Sequence, residues 1–365
     1  MDKQAELKIK EDRLWDYLES QGLDGVLISK RSNFAWITGG ADNRIFLSSE
    51  AGASSLLITR DGKYLLAHWM DGERMMDEEL AGLGYKLEQY PWYAGRQKTL
   101  EALTTGKRIG TDIPTPGLVT LEKDWYELFF PLTPTEVQRA RELACLAEEA
   151  MREVCFAIQP GDTEQKVAGM LTRAYTGRGM YQHVLLVGSD ERLFKYRHCL
   201  PKDKPIRNLV LMHVAAQCDG LYANLTRLVH FGPLSEDLQR RHKAVTYIQS
   251  ILLANLIPGS RFVDLMDKIK AAYAETGFAD EWQGHVQGGP CGYEPIWVDL
   301  VQDPEAVVPV NQTYDWLQTV PGTKVEELSL LTQDGADLIS LAPGWPELRY
   351  EIGGRLYRMP DILER

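Results

Sequence analysis

Five residues in the middle of the chain recur, in order, 98 positions later: Pro160, Gly161, Ala174, Tyr175 and Gly179 match Pro258, Gly259, Ala272, Tyr273 and Gly277. Each copy reads as a long helix, a Pro-Gly break, a second amphipathic helix, a glycine stop and then strands. Solenoid repeats have periods of roughly 20–50 residues, so this is not a solenoid. The spacing predicts two similar halves that bury their helices against a shared sheet. Two such halves facing each other leave a cleft between them.

The repeat occupies only the later part of the 365 residues. A boundary is expected at Phe130-Pro131-Leu132-Thr133-Pro134, giving domains 1–130 and 131–365. Thr133 suits an N-cap, Pro134 the first helical position, and Glu136 completes a capping box. Val137, Ala140, Ala144, Ala147, Met151 and Val154 then recur at helical spacing. Upstream, residues 1–22 read as a helix and Val26-Leu27-Ile28 as a strand. Leu56–Thr59 and Tyr64–Ala67 read as a hairpin around Asp61-Gly62, and a further strand ends at Arg108-Ile109-Gly110. The fold class expected is α+β: an N-terminal α/β domain followed by a duplicated α+β domain.

Composition narrows the function. With 40 Lys+Arg against 52 Asp+Glu, a net charge of -12 argues against a nucleic-acid backbone as the main ligand. No apolar run is long enough to span a membrane, and the charged N-terminus does not read as a secretory signal. The five cysteines have no Cys-x-x-Cys spacing, which speaks against structural zinc, and their odd number suggests reduced thiols. A cytoplasmic protein is expected, with no nucleic-acid or membrane partner.

The chemistry is expected on a hairpin. Leu209–Gln217 and Leu221–Phe231 flank Cys218-Asp219-Gly220, and an Asp-Gly turn pairs Cys218 with Leu221, Ala216 with Ala223 and Val214 with Leu225. That face is apolar. The other carries His213 opposite Thr226, Ala215 opposite Asn224, and also Gln217 and Tyr222. Such a strip is a solvated face or the floor of a cleft, and periodicity alone favours the solvated face.

The stretch Gly220-Leu221-Tyr222-Ala223-Asn224-Leu225-Thr226-Arg227, with His213 eleven positions before Asn224, resembles the metal-binding hairpin of the creatinase / aminopeptidase P / prolidase family. The resemblance covers nearly the whole chain and implies a creatinase/prolidase-type N-terminal domain followed by a pita-bread domain. The family pattern has an Asp at both His213 and Asn224. Its later motifs resemble Gly284-His285-Val286-Gln287-Gly288-Gly289 and Pro321–Glu327. His285 aligns with the outer, substrate-side His, which leaves a glycine at the liganding His. The first liganding Glu falls near Leu317 and the second at Glu326. Of the five expected ligand positions only Glu326 keeps its type, and an Asn, a Leu and a Gly cannot balance a pair of hard dications. No metal or other cofactor is therefore expected.

The resemblance to creatinase, which works without metal, implies a catalytic His at His198, fifteen positions before His213. An imidazole gives and takes protons near neutrality. His285 is expected to orient substrate or stabilise an oxyanion. Asn224, Glu326 and His213 are expected to hold a polar group of the substrate, with Tyr222 and Arg197 at the rim. Leu317, with Trp316 and Trp297 nearby, suggests a more apolar pocket than creatine would need. Creatinase also implies a homodimer in which Arg44 or Phe46 reaches the partner's active site. A Cys199–His198 nucleophile pair is not expected, since neighbours on a strand point to opposite faces. The leading expectation is thus a metal-independent hydrolase cleaving an amide or amidino C–N bond of a small nitrogenous substrate. The alternatives are an inactive fold that binds a metabolite or protein, and an Xaa-Pro peptidase-type metallohydrolase with a degenerate site, such as a single metal on His213 and Glu326. Bland readings of the same residues are a surface His198, a core His213 bonded to Thr226, and Glu326 with Glu327 at an exposed strand end.

Overall fold

The computed structural model describes residues 2–365. The chain separates into two compact units, Met1–Phe130 and Pro131–Arg365. In the first, helix α1 (Lys3–Ser20) leads to β1 (Gly25–Lys30), α2 (Arg31–Thr38), β2 (Ala51–Thr59), β3 (Gly62–His68), the single turn α3 (Gly72–Arg74), β4 (Lys86–Tyr90), α4 (Gln97–Thr104), β5 (Ile109–Thr111) and β6 (Val119–Thr120). The strands form one mixed sheet in the order β4-β3-β2-β1-β5-β6. Thr59 pairs with Gly62, so the β2–β3 turn is Arg60-Asp61, one residue earlier than the Asp-Gly signal suggests.

The second unit opens on α5 (Pro134–Ala157), started by the expected capping box: Glu136 N–H donates to Thr133 Oγ1 at 3.3 Å and Thr133 N–H to Glu136 Oε2 at 2.7 Å. Then come α6 (Glu164–Thr176), β7 (Tyr181–Ser189), α7 (Glu191–Lys195), β8 (Leu209–Cys218) and β9 (Leu221–His230). The second half repeats this order with α8 (Glu236–Asn255), α9 (Phe262–Glu275), β10 (Gly288–Cys291), α10 (Val298–Gln302), β11 (Gln312–Val320) and β12 (Thr323–Thr332). Strands β13 (Gly335–Leu338), β14 (Glu347–Ile352), β15 (Arg355–Pro360) and β16 (Leu363–Glu364) close the chain. The repeated glycines do the same work in both halves, and the repeated tyrosines are buried in both but bond to different elements. Gly161 and Gly259 turn at φ 89° and 79°, where a side chain would be strained. The buried hydroxyls of Tyr175 and Tyr273 donate to the carbonyls of Ala147 and Thr319.

The shared sheet expected from the repeat is instead two four-stranded sheets, β16-β9-β8-β7 and β10-β11-β12-β13. No backbone ladder joins β9 to β12. Side chains make the seam: Thr226 hydrogen-bonds Glu326 and Arg227 ion-pairs with Glu327, so successive residues of one strand meet successive residues of the other. Helix α5 packs on β9, and α8 on β11 and β12. A core around Leu252, Leu265, Tyr273, Tyr314 and Trp316 packs α8 and α9 against the β10-β11-β12-β13 sheet. Among the described residues no helix is long and apolar enough to cross a membrane.

Candidate active site

The β8–β9 hairpin has the register its turn dictates. Asp219 and Gly220 both take positive φ, 49° and 79°, as a tight two-residue hairpin turn requires. His213 then faces Thr226, Ala215 faces Asn224 and Gln217 faces Tyr222. The solvated-face reading of this strip is overturned, because His213, Asn224 and Thr226 are all buried. So are Glu326 and Glu327, which are not an exposed strand end. The two sheets meet here along β9 and β12, and the polar face of the hairpin is covered by the second half.

Four groups from the second half stand beside this strip. On β12, Glu326 Oε2 lies 3.1 Å from His213 Nδ1 and accepts from Thr226 Oγ1 at 3.4 Å. Lys324, two residues earlier and on the same face, ion-pairs with that same Oε2. On β11, Asp315 Oδ2 accepts from Asn224 Nδ2 at 2.8 Å, and its carboxyl also meets Glu326. Leu317 sits directly opposite Glu326 and is buried. Neither Asp315 nor Lys324 is singled out by motif alignment. The period of a strand would have found them, since Asp315 shares a face with Leu317 and Lys324 with Glu326.

The charge state of this buried group follows from its contacts. Burial alone would raise the Glu326 carboxyl, but the His213 ring and the Lys324 ammonium outweigh it and hold it well below its ordinary value. Burial, then the neighbouring Glu326 charge, push Asp315 well above the carboxylate range. Burial lowers His213, with Lys324 assisting. Glu326 is thus the charged carboxyl of the cluster, held by Lys324 and His213, and Asp315 is the carboxyl pushed toward its neutral form.

The two loop histidines meet. His198, on the segment after α7, and His285, before β10, approach at 2.8 Å between their Nε2 atoms, with ring centroids 4.8 Å apart and nearly perpendicular. His285 Nδ1 lies 2.8 Å from the Val286 carbonyl, which can only accept, so Nδ1 carries a proton. Burial, then Lys324, lower His285 to about 4, so at neutrality its Nε2 is an acceptor. His198 must then donate through Nε2. Burial, Lys324 and His213 lower His198 as well, and its Nδ1 is left as an unprotonated nitrogen.

The remaining candidates have protein partners. Arg197 ion-pairs with Glu281, and its guanidinium packs against Gly284, which ties together the loops that carry His198 and His285. Tyr222 shares its hydroxyl with His183 Nδ1 at 3.1 Å. Both are expected at a substrate rim, and each has a protein partner there. Trp316 is not a pocket wall: it points to the other face of β11 and stacks on Tyr314. Trp297 is buried beside Gly292. Cys199 turns into the core while His198 stays exposed, so the two do not pair. In the first unit, Arg44 Nε pairs with Asp42 at 3.1 Å, and Phe46 is 71% exposed.

Comparison with known proteins matches this architecture. The Creatinase/Prolidase N-terminal domain matches residues 11–123, and Metallopeptidase family M24 matches residues 138–295. The chain belongs to the creatinase / aminopeptidase P / prolidase family. Its C-terminal unit is the pita-bread domain of that family. A curated relative, the uncharacterized peptidase YqhT of Bacillus subtilis (strain 168), is 21% identical over 92% of this chain and 98% of its own. Among solved structures, the prolidase from Pyrococcus horikoshii OT3 superposes with a TM-score of 0.76 at 19% identity, over 91% of this chain and 98% of that one. The X-Pro aminopeptidase from Thermotoga maritima MSB8 gives 0.75 at 16% identity, over 98% and 99%.

A metallopeptidase centre needs anionic donors free to face a dication. Here Glu326 is already held by Lys324, burial pushes Asp315 toward its neutral form, Asn224 turns an N–H toward Asp315, and Leu317 has nothing to offer. Among the described residues no three His, Cys, Asp or Glu side chains are grouped to hold an ion. This donor set does not fit a pair of hard dications.

Proposed function

We propose that the protein is a hydrolase of this family that cleaves the C–N bond of a small nitrogenous substrate without metal, with His198 as the proton shuttle. One observation carries the reading. His285 is locked by Val286 as an acceptor, which fixes the His198 proton on Nε2 and leaves Nδ1 as the base. His198 Nδ1 takes a proton from water as the water oxygen attacks the substrate carbon. The imidazolium, held by the bond to His285, then gives that proton to the leaving nitrogen as the C–N bond breaks. Its lowered pKa keeps it unprotonated at neutrality and makes the protonated form a ready acid. His213, Asn224 and Glu326 shape the polar floor below. The same reading has a homodimer in which Arg44 or Phe46 of one copy serves the other's substrate, and the exposure of Phe46 supports it.

The test is a screen of chelator-treated protein against N-acyl amino acids, amidino compounds and Xaa-Pro dipeptides, repeated with His198→Ala. Turnover is expected with chelator present, and a loss on the order of 10²–10⁴-fold in the variant. Unchanged turnover removes His198 from the mechanism. A second reading, a fold kept for binding, is favoured by the burial of His213, Asn224, Asp315 and Glu326 beneath the strand seam. It predicts no turnover in any arm of the screen.

A further inference from the structure

Lys324 is a cation at the middle of the site, and the roles above leave it unused. Its side chain is 5% exposed, and its one protein partner among the described residues is Glu326 Oε2. An ammonium has three N–H donors, so two are unmatched at a depth where an unmatched donor is costly. Its charge acts on His198 and His285 above, and on His213, Asp315 and Glu326 beside it. Lys324 is therefore within electrostatic reach of both the histidine pair and the carboxyl pair, and it touches the latter through Glu326. Backbone register fixes that place: it shares a face with Glu326 and sits opposite Thr319.

We infer that Lys324 is the oxyanion-binding catalytic residue of this site, and that the substrate is accordingly a neutral N-acyl compound whose carbonyl oxygen lies on its unmatched N–H groups. The inference rests on the hydrolase reading and deepens it. Water forms its O–C bond to the carbonyl carbon while its proton passes to His198 Nδ1, and the C=O electron pair moves onto the oxygen held by Lys324. Collapse restores the C=O, the C–N bond breaks, and the His198 proton goes to the nitrogen. The products are a carboxylic acid and an amine. A substrate carrying a guanidinium at this point would place a second positive charge against Lys324, which disfavours amidino cations. The ammonium supplies the positive charge that electrostatic catalysis needs where charge develops.

Acetate is the probe, as an anionic oxygen with no reaction to undergo. It is titrated into the whole protein and followed through the ring protons of His198 and His285. Wild-type protein is expected to bind it. The double variant Lys324→Met/Glu326→Gln, which removes the buried pair as a unit, is expected to bind about tenfold or more weakly with its circular dichroism unchanged. Equal affinity in the double variant overturns the inference. If that variant does not fold, Glu326→Gln carries the test, because removing the competing carboxylate charge is expected to tighten acetate; unchanged or weaker binding overturns it. On an N-acyl substrate the double variant is expected to lose on the order of 10²–10³ in kcat with little change in KM. Turnover by wild type, with acetate binding untouched by loss of Lys324, refutes the inference and leaves the hydrolase reading. Acetate binding through Lys324, with no turnover on any substrate, refutes the hydrolase reading and leaves an anion site.

Discussion

The two halves of the second unit share a topology and divide the chemistry unequally. The first half gives the site His213, Asn224 and Thr226, none of them a carboxylate or a fixed cation, whereas the second gives Asp315, Lys324 and Glu326. The helices, glycine turns and buried tyrosines of the repeat are alike in both. Duplication therefore constrains the frame and leaves the polar face of each hairpin free to diverge. A site whose charge comes from one half neutralises itself within that half, and here it does so through Lys324 and Glu326 two residues apart on one strand.

The strongest way to break this asymmetry is to remove one charge of the second half. Lys324→Met leaves Glu326 buried with only His213 and Thr226 beside it, which is expected to cost about 3–5 kcal/mol. The double variant with Glu326→Gln is expected to recover most of that loss, and urea unfolding of both measures it. Recovery fails if Glu326 depends on His213 rather than on Lys324.

A smaller effect comes from restoring a carboxyl to the first half. Asn224→Asp replaces the N–H donated to Asp315 with an acceptor and is expected to cost about 1–3 kcal/mol at neutral pH. The loss should shrink in acid, where the new carboxyl is protonated. A variant as stable as the parent at pH 7 would mean that the Asn224–Asp315 bond contributes nothing.

The pH dependence sharpens the comparison further. His213 and His242 are buried and His285 is partly buried, and all three are lowered from 6.5, so unfolding lets them take up protons. Their contribution is complete above about 6.5 and drains away as pH falls toward their folded values, about 4 for His285. Asp315 and Glu327 act oppositely. Their folded values are raised, by burial above all, so what they contribute is present in acid and lost as pH rises, for Glu327 through about 7. Denaturation between pH 4 and pH 8 should show both limbs. Asp315→Asn should flatten the neutral limb alone, and His242→Gln the acid limb alone.

How much of this was legible depends on what fixes each feature. The hairpin register follows from Asp219-Gly220, because a two-residue turn leaves no other pairing. The start of α5 follows from Thr133, Pro134 and Glu136 for a similarly local reason. The burial of the His213–Asn224 strip was not legible, since what covers a strand face comes from a segment about a hundred residues away. The seam between β9 and β12 was hidden for the same reason: Arg227–Glu327 and Thr226–Glu326 replace a backbone ladder, and sequence does not reveal an edge. Asp315 and Lys324 were missed for a different reason. Matching motif positions one by one led to Leu317 and Glu326, while the side chains two residues along carry the carboxyl and the ammonium on the same faces.

In this reading a lysine, rather than divalent ions, balances the buried carboxylate. Calorimetric titration of chelator-treated protein with Mn²⁺, Co²⁺ and Zn²⁺, with melting temperature read alongside, tests that most directly. The account predicts no stoichiometric binding and no stabilisation by any of the three. Saturable uptake of one or two equivalents with a rise in Tm, abolished in Glu326→Gln, would contradict it.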